Sequence, residues 1–188
     1  MLTERLAESS AFVRNTHYGF IFGLLSGMPN DQPDITLRPT AVDDLEVFFR
    51  FQQDEEARFL AAFTPEDLND RSAYLRKHTR LLSEPTVNNQ TILVNNVIAG
   101  SIAKFEIAGE AEITYWIDKN FWGRKIATRA LKAFLALEPA RPLIGRAAFD
   151  NFGSQKVLER CGFVRVGTNR GYANARQAEI EEFIYQLT

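Results

Sequence analysis

Residues able to do chemistry gather in two stretches of the chain. The first is Trp122-Gly-Arg-Lys-Ile-Ala-Thr128. It follows a run of β-branched and aromatic residues from Ile113 to Ile117 and opens a helical apolar stripe of Ala127, Leu131, Phe134 and Leu135. A loop that leaves a strand and enters a helix presents free backbone N–H groups at the positive end of a helix dipole. The amides of Gly123, Arg124, Lys125, Ile126, Ala127 and Thr128 therefore form a candidate anion site. The second stretch begins where Asp150 or Asn151 caps another helix, whose inward face reads Ser154, Val157, Leu158 and Cys161. Gly162 stops that helix.

The elements that must position these residues follow from the pattern around them. Ile35 to Pro39 is a short first strand. Thr40-Ala-Val-Asp43 is a capping-box pattern before the stripe Leu45, Phe48, Phe49. Thr64-Pro-Glu-Asp67 caps a second helix with Pro65 at its first position, and Leu68, Leu75 and Leu82 recur on one face. His78 on this helix reads as a partly buried or surface histidine. Gln90 to Val94 and Val97 to Phe105 are strands joined at Asn95-Asn96, a pair that tolerates positive φ in a tight hairpin.

Ala108-Gly109-Glu110 turns the chain into a third antiparallel strand. The helix after Arg124 ends near Leu137, before Pro139, and Leu143 to Phe149 is the next strand. A strand, helix and strand in succession predict a crossover between parallel neighbours. Phe163 to Val166 and Ala178 to Leu187 pair around a loop from Gly167 to Arg176. The order β-α-α-β-β-β-α-β-α-β-β describes one α+β domain over 34–188 with a mixed sheet and helices on both faces. Residues 1–33 form an N-terminal extension whose apolar stretch, Tyr18 to Met28, should be buried against the domain or against a second subunit of a homodimer.

Composition bounds the function. The chain has 188 residues, 45% hydrophobic, enough for one domain with a full core. A net charge of −2 leaves no basic footprint for nucleic acid or an anionic membrane. The single Cys161 excludes an internal disulfide and suits a reducing compartment. With only two histidines beside it, no metal site is expected. The longest apolar run is too short to span a bilayer, and no signal-peptide pattern accompanies it, so the expectation is a cytoplasmic protein.

Trp122-Gly-Arg-Lys-Ile-Ala127 and Asn151-Phe-Gly-Ser-Gln-Lys-Val-Leu-Glu-Arg-Cys-Gly-Phe163 together resemble the GNAT superfamily of acyl-CoA-dependent N-acyltransferases. The first resembles its pyrophosphate loop, Q/R-x-x-G-x-G/A, and the second its following helix, N-x-x-S-x-x-V-L-E-x-x-G-F. Tyr115-Trp116 ahead of Phe121-Trp122-Gly123 is similar to the branch that acetylates N-terminal amines of ribosomal proteins. The resemblance implies acetyl-CoA as cosubstrate, its diphosphate held by residues 122–128. One position departs. The family's first loop glycine falls on Lys125, and its Q/R position on Trp122. If that glycine serves a positive φ, a lysine costs about 1–2 kcal/mol there, while adding a cation beside a diphosphate.

Acetyl transfer to an amine needs a proton acceptor for the amine, a donor to the oxyanion and a proton for the leaving thiolate. The resemblance implies direct attack without an acyl-enzyme, which leaves Cys161 as a core residue. Asn151 matches the asparagine that contacts the pantetheine arm, and it reads equally well as an N-cap. The tyrosine many members place seven residues later is Leu158 here. Ser154 matches the serine donor of the ribosomal-protein branch, with a small hydroxyl filling a tight contact as the other reading. Glu112 on the central strand is the candidate base, with Glu106, Glu110 and Glu181 as weaker candidates.

The resulting expectation is an N-acetyltransferase acting on a protein N-terminus or a small amine. Glu55, Glu56, Glu66 and Asp67 favour a cationic acceptor. The alternative is a non-catalytic module of the same fold that senses acyl-CoA or binds a partner.

Overall fold

A computed structural model describes residues 33–66 and 69–188. The extension expected over 1–33 thus lies, apart from Pro33, outside the described residues, as do Asp67 and Leu68. The chain begins with β1 (Ile35–Pro39) and three helices, α1 (Asp44–Phe51), α2 (Glu55–Ala61) and α3 (Arg71–Leu81). Then come β2 (Asn88–Val94), β3 (Val97–Ile107) and β4 (Glu110–Ile117). They are followed by α4 (Ile126–Leu137), β5 (Leu143–Ala148), α5 (Phe152–Arg160), β6 (Val164–Ala173) and β7 (Ala178–Leu187).

The strands form one mixed sheet in the order β1-β2-β3-β4-β5-β7-β6. All neighbours are antiparallel except β4 and β5, which the α4 crossover makes parallel as the sequence predicts. Asn95 (φ 49°) and Asn96 (φ 64°) close the β2–β3 hairpin, and Ala108 (φ 51°) with Gly109 (φ 84°) closes β3–β4.

Three expectations need correction. The segment between β1 and β2 holds three helices, because Gln52-Gln53 ends α1 and Asp54 starts α2 by accepting from the Ala57 N–H at 2.9 Å. No capping box forms at Thr40. Asp44, inside the helix, instead accepts from the Ala41 N–H, while Thr40 pairs with the Thr91 hydroxyl. Pro65 is not helical, since α3 starts at Arg71 under an Asp70 cap that accepts from the Ala73 N–H at 2.8 Å. In addition, β6 runs on through Ala173, so the last connection is only Asn174–Gln177. Ladder hydrogen bonds to β7 hold this polar strand, across a register shift between Arg165 and Gly167, where its own sequence carries no alternation.

The core lies between the sheet and α4–α5. Ile126, Ala130, Leu131 and Phe134 of α4 meet Ile113, Ile117, Leu143, Ala147 and Tyr185. The α4 stripe is turned slightly from the expected one, with Ala127 and Leu135 at its half-buried margin. At the end of α5, Gly162 (φ 91°) and Phe163 donate back to Glu159 and Leu158, a Schellman stop that drives Phe163 into the core. The helix α1 covers the opposite face, where Asp44 reaches Thr91, the residue beside inward-facing Ile92.

Candidate active site

The strands β4 and β5 part company. They pair at Ala111–Leu143, Glu112–Ile144 and Ile113–Gly145, and nowhere beyond, although β4 continues to Ile117 and β5 to Ala148. Beyond Ile113, alternate backbone N–H and C=O groups of β4 therefore face a gap instead of a ladder partner. A cavity of about 830 Å³ fills that gap and reaches the start of α4 and the start of α5.

Gly145 sets the lower end of the opening. A side chain there would place its Cβ 2.7 Å from Leu158 Cδ2, so fully buried Leu158 occupies the space under the strand. Leu158 is thus a packing residue, in line with its apolar character.

At the other end, the turn from β4 into α4 is pinned by Trp122, whose indole Nε1 donates to the Ile117 carbonyl at 2.8 Å. Gly123 takes φ 74°, and Lys125, immediately before the first helical residue, takes φ 60° and ψ 17°. The lysine does stand in left-handed conformation, at a strain of about 1–2 kcal/mol. That twist leaves the first N–H groups of α4 without intrahelical partners beside the cavity. Trp122, Gly123, Lys125, Ile126, Ala127 and Thr128 all line it. Arg124 does not; its guanidinium lies 5.8 Å from the Phe121 ring centroid. The turn and the elongated gap fit a diphosphate followed by a chain carrying amides.

On the α5 side, Asn151 is the helix cap. Its Oδ1 accepts from the Ser154 N–H at 3.0 Å and its Nδ2 donates to the Leu60 carbonyl at 3.0 Å, tying α5 to α2. The Ser154 hydroxyl lies 2.7 Å from that of Tyr115, which also donates to the Ser154 carbonyl at 3.2 Å. Burial pushes the Tyr115 phenol well above its ordinary range, so it stays protonated. Sequence reasoning missed this role of Tyr115. Its parity with core residues Ile113 and Ile117 was the available signal, since it sends the ring toward α5.

The same alternation answers which way Glu112 faces. It lies on the other side of the sheet from Tyr115, buried at 7% exposure, with both carboxylate oxygens accepting from Arg146 Nε at 3.1 and 3.3 Å. Arg146 Nη1 reaches Glu182 of β7 at 3.4 Å. Ser154 and Glu112 therefore stand on opposite faces of the sheet, and the gap between β4 and β5 connects them. Arg146 and Glu182 are cavity residues that sequence reasoning passed over, choosing Glu181, which is exposed. Glu106 pairs with Lys104 at 2.6 Å, and Glu110 is exposed at the β3–β4 turn. Cys161 is half-buried against the Thr128 carbonyl, and burial pushes its thiol up, which suits a packing role.

The chain as a whole has counterparts among known proteins. The acetyltransferase (GNAT) domain family matches residues 34–164. The chain belongs to the GNAT family. It is an acyl-CoA-dependent N-acyltransferase, and enzymes of this family use acetyl-CoA as cosubstrate.

A curated relative, the uncharacterized N-acetyltransferase p20 of Bacillus licheniformis, is 25% identical over 81% of this chain and 92% of its own. Two solved structures share the fold. The microcin C7 self-immunity acetyltransferase MccE, in complex with acetyl-CoA and AMP, aligns with TM-score 0.69 and 21% identity, over 85% of this chain and 93% of its own. RimL, the ribosomal L7/L12 α-N-protein acetyltransferase in complex with coenzyme A, aligns with TM-score 0.70 and 18% identity, over 81% and 93%. Among the described residues no group of three or more His, Cys, Asp or Glu is placed to hold a metal ion, and no helix is long and apolar enough to cross a membrane.

Proposed function

We propose that this GNAT protein is a cytoplasmic enzyme that acetylates a primary amine, at a protein N-terminus or on a small molecule, by direct attack on acetyl-CoA. The observation that carries this reading is the parting of β4 and β5 beyond Ile113–Gly145, beside the N-terminal turn of α4. An acyl chain lying in that gap presents its carbonyl to unpaired β4 backbone, while the amides of Gly123 and residues 125–128 and the Lys125 cation meet its diphosphate.

The residues divide by face. Ser154, backed by the protonated Tyr115 hydroxyl, is the proton donor to the leaving thiolate. Asn151 holds the α5 end of the gap in place. Glu112 stands on the acceptor side within a charged network. Glu55 and Glu66 line a neighbouring pocket of about 390 Å³ and favour a cationic acceptor, whereas Glu56 is engaged by Lys119 at 2.6 Å. Of the relatives, RimL's name concerns a protein N-terminal amine, which supports including peptides among the acceptors tried.

The test has two stages. Acetyl-CoA at 100 times its dissociation constant adds about 2.7 kcal/mol of stability, which raises Tm by several degrees; no shift at millimolar cosubstrate rejects the reading. Thiol release is then measured across N-terminal Ala and Ser peptides, polyamines and aminoglycosides. Turnover with one class names the acceptor, and release with none rejects transfer to these amines.

A further inference from the structure

On the acceptor side, we infer that Glu182 is the catalytic residue that removes the proton from the attacking amine, with Arg146 and Glu112 positioning it. This rests on the acetyl-transfer reading above and assigns the one step that reading leaves open.

Three observations carry it. The first is level. Glu112 is registered with Ile144, inside the closed part of the β4–β5 pair, whereas Glu182 is registered with Ala148, three residues past the last pair. At about 3.3 Å per residue, that is about 10 Å into the open part of the gap, whose cavity Glu182 lines. The second is face. Glu112, Arg146 and Glu182 all stand on the sheet face away from α4 and α5, opposite the Ser154–Tyr115 pair, so acid and base flank the gap from its two sides. The third is occupancy. Arg146 Nε holds both Glu112 oxygens, but only Oε2 of Glu182 receives Arg146, through Nη1 at 3.4 Å.

The charges around Glu182 suit this role. Across β6 it faces Asn169, which donates to it, and across β5 the Arg146 guanidinium is shared with Glu112. Two carboxylates and one guanidinium leave the cluster one negative charge, which an entering ammonium neutralises. Farther along the cavity wall, Asp150 is already held by Arg176 at 2.9 and 3.0 Å. Burial, opposed by Arg146, pushes the Glu182 carboxyl above its ordinary range, toward the value a base needs near neutral pH.

The step balances. Glu182 takes one proton from the ammonium and later passes it to solvent. The amine nitrogen then forms its bond to the thioester carbon as the carbon–sulfur bond breaks. The second nitrogen proton ends on the departing sulfur, relayed by Ser154, leaving an amide, a free thiol and one proton.

The experiment compares wild type, Glu182→Gln, Glu182→Asp and Glu112→Gln, using the panel amine that gives most thiol release. In wild type, kcat/KM rises with pH as Glu182 loses its proton. In E182Q it is expected to fall about 100-fold or more and to follow only the amine's own ionisation. E182D restores part of the rate and the limb, and E112Q lowers the rate while keeping the limb. An unchanged acetyl-CoA Tm shift in E182Q shows that the fold and cosubstrate site survive.

Three outcomes overturn the assignment: E182Q within threefold of wild type, E182Q slowed with the wild-type limb intact, or the limb lost in E112Q instead. If wild type acetylates none of the amines, the transfer reading fails and the assignment falls with it. Independently of turnover, ¹³C-labelled glutamate carboxyls can be titrated in the wild-type protein. The resonance missing from E182Q should titrate above the ordinary glutamate range, and titration within that range overturns the proposal.

Discussion

Lys125 shows how one residue can serve two opposed demands. Its backbone supplies the left-handed turn that a glycine would provide without strain, and its side chain adds a cation where a diphosphate is expected. The two contributions are separable by substitution. Lys125→Gly relieves the φ 60° strain and is expected to stabilise the protein by about 1 kcal/mol, while weakening acetyl-CoA binding through loss of the charge. Lys125→Ala weakens binding similarly without the gain in Tm. Melting and calorimetric titration of both variants check this, and equal Tm values for the two would deny the strain. Asn151 likewise combines a cap and a tether, since one end of its amide starts α5 and the other holds α2.

Among the elements, the β4–β5 pair matters most, because its three-residue ladder ends where the site begins. Gly145 is the last residue of β5 paired with β4, and Leu158 of α5 packs directly beneath it. Gly145→Ala should destabilise the protein by about 1–3 kcal/mol by forcing buried Leu158 off its position. Leu158→Val in the same chain should return part of that loss, giving a favourable coupling in a double-mutant cycle. Strictly additive Tm changes would show that the two residues do not compete for that space. The elements nearest the motifs were the most legible. The Asn-Asn hairpin, the α4 entry and the Gly162 stop follow from local φ preferences, which a sequence carries. By contrast, α2 and the full length of β6 were misread. Asp54 caps a helix only because Gln52-Gln53 breaks the one before it, and β6 is held by its partner strand rather than by its own pattern.

At the scale of the molecule, buried charge joins segments distant in the chain. Asp44 of α1 accepts from Arg38 of β1 at 2.6 and 2.7 Å, from the Ala41 N–H at 2.9 Å and from the Thr91 hydroxyl of β2 at 2.7 Å. Burial alone would raise its pKa; the Arg38 guanidinium and the two further donors outweigh burial and hold it below the ordinary carboxylate value. A carboxylate lowered in the folded state contributes stability above its unfolded pKa and loses it as pH falls through the folded value. Wild type should therefore lose Tm progressively below about pH 4. Asp44→Asn should cost about 2 kcal/mol or more at pH 7, with the difference narrowing in acid. A constant difference from pH 7 to pH 3 would exclude the ionised lock.

The sequence by itself determined the α+β class, the parallel crossover, the turn from β4 into α4 and the helix that bears Ser154, because each rests on local backbone preference or on periodicity. Only the tertiary structure decided which face Glu112 takes, that Tyr115 backs Ser154, and that Arg146 and Glu182 join Glu112. A strand's alternation separates its residues into two sets, but the packing of other elements assigns those sets to core and cleft, and strand register brings charges from β4, β5 and β7 together.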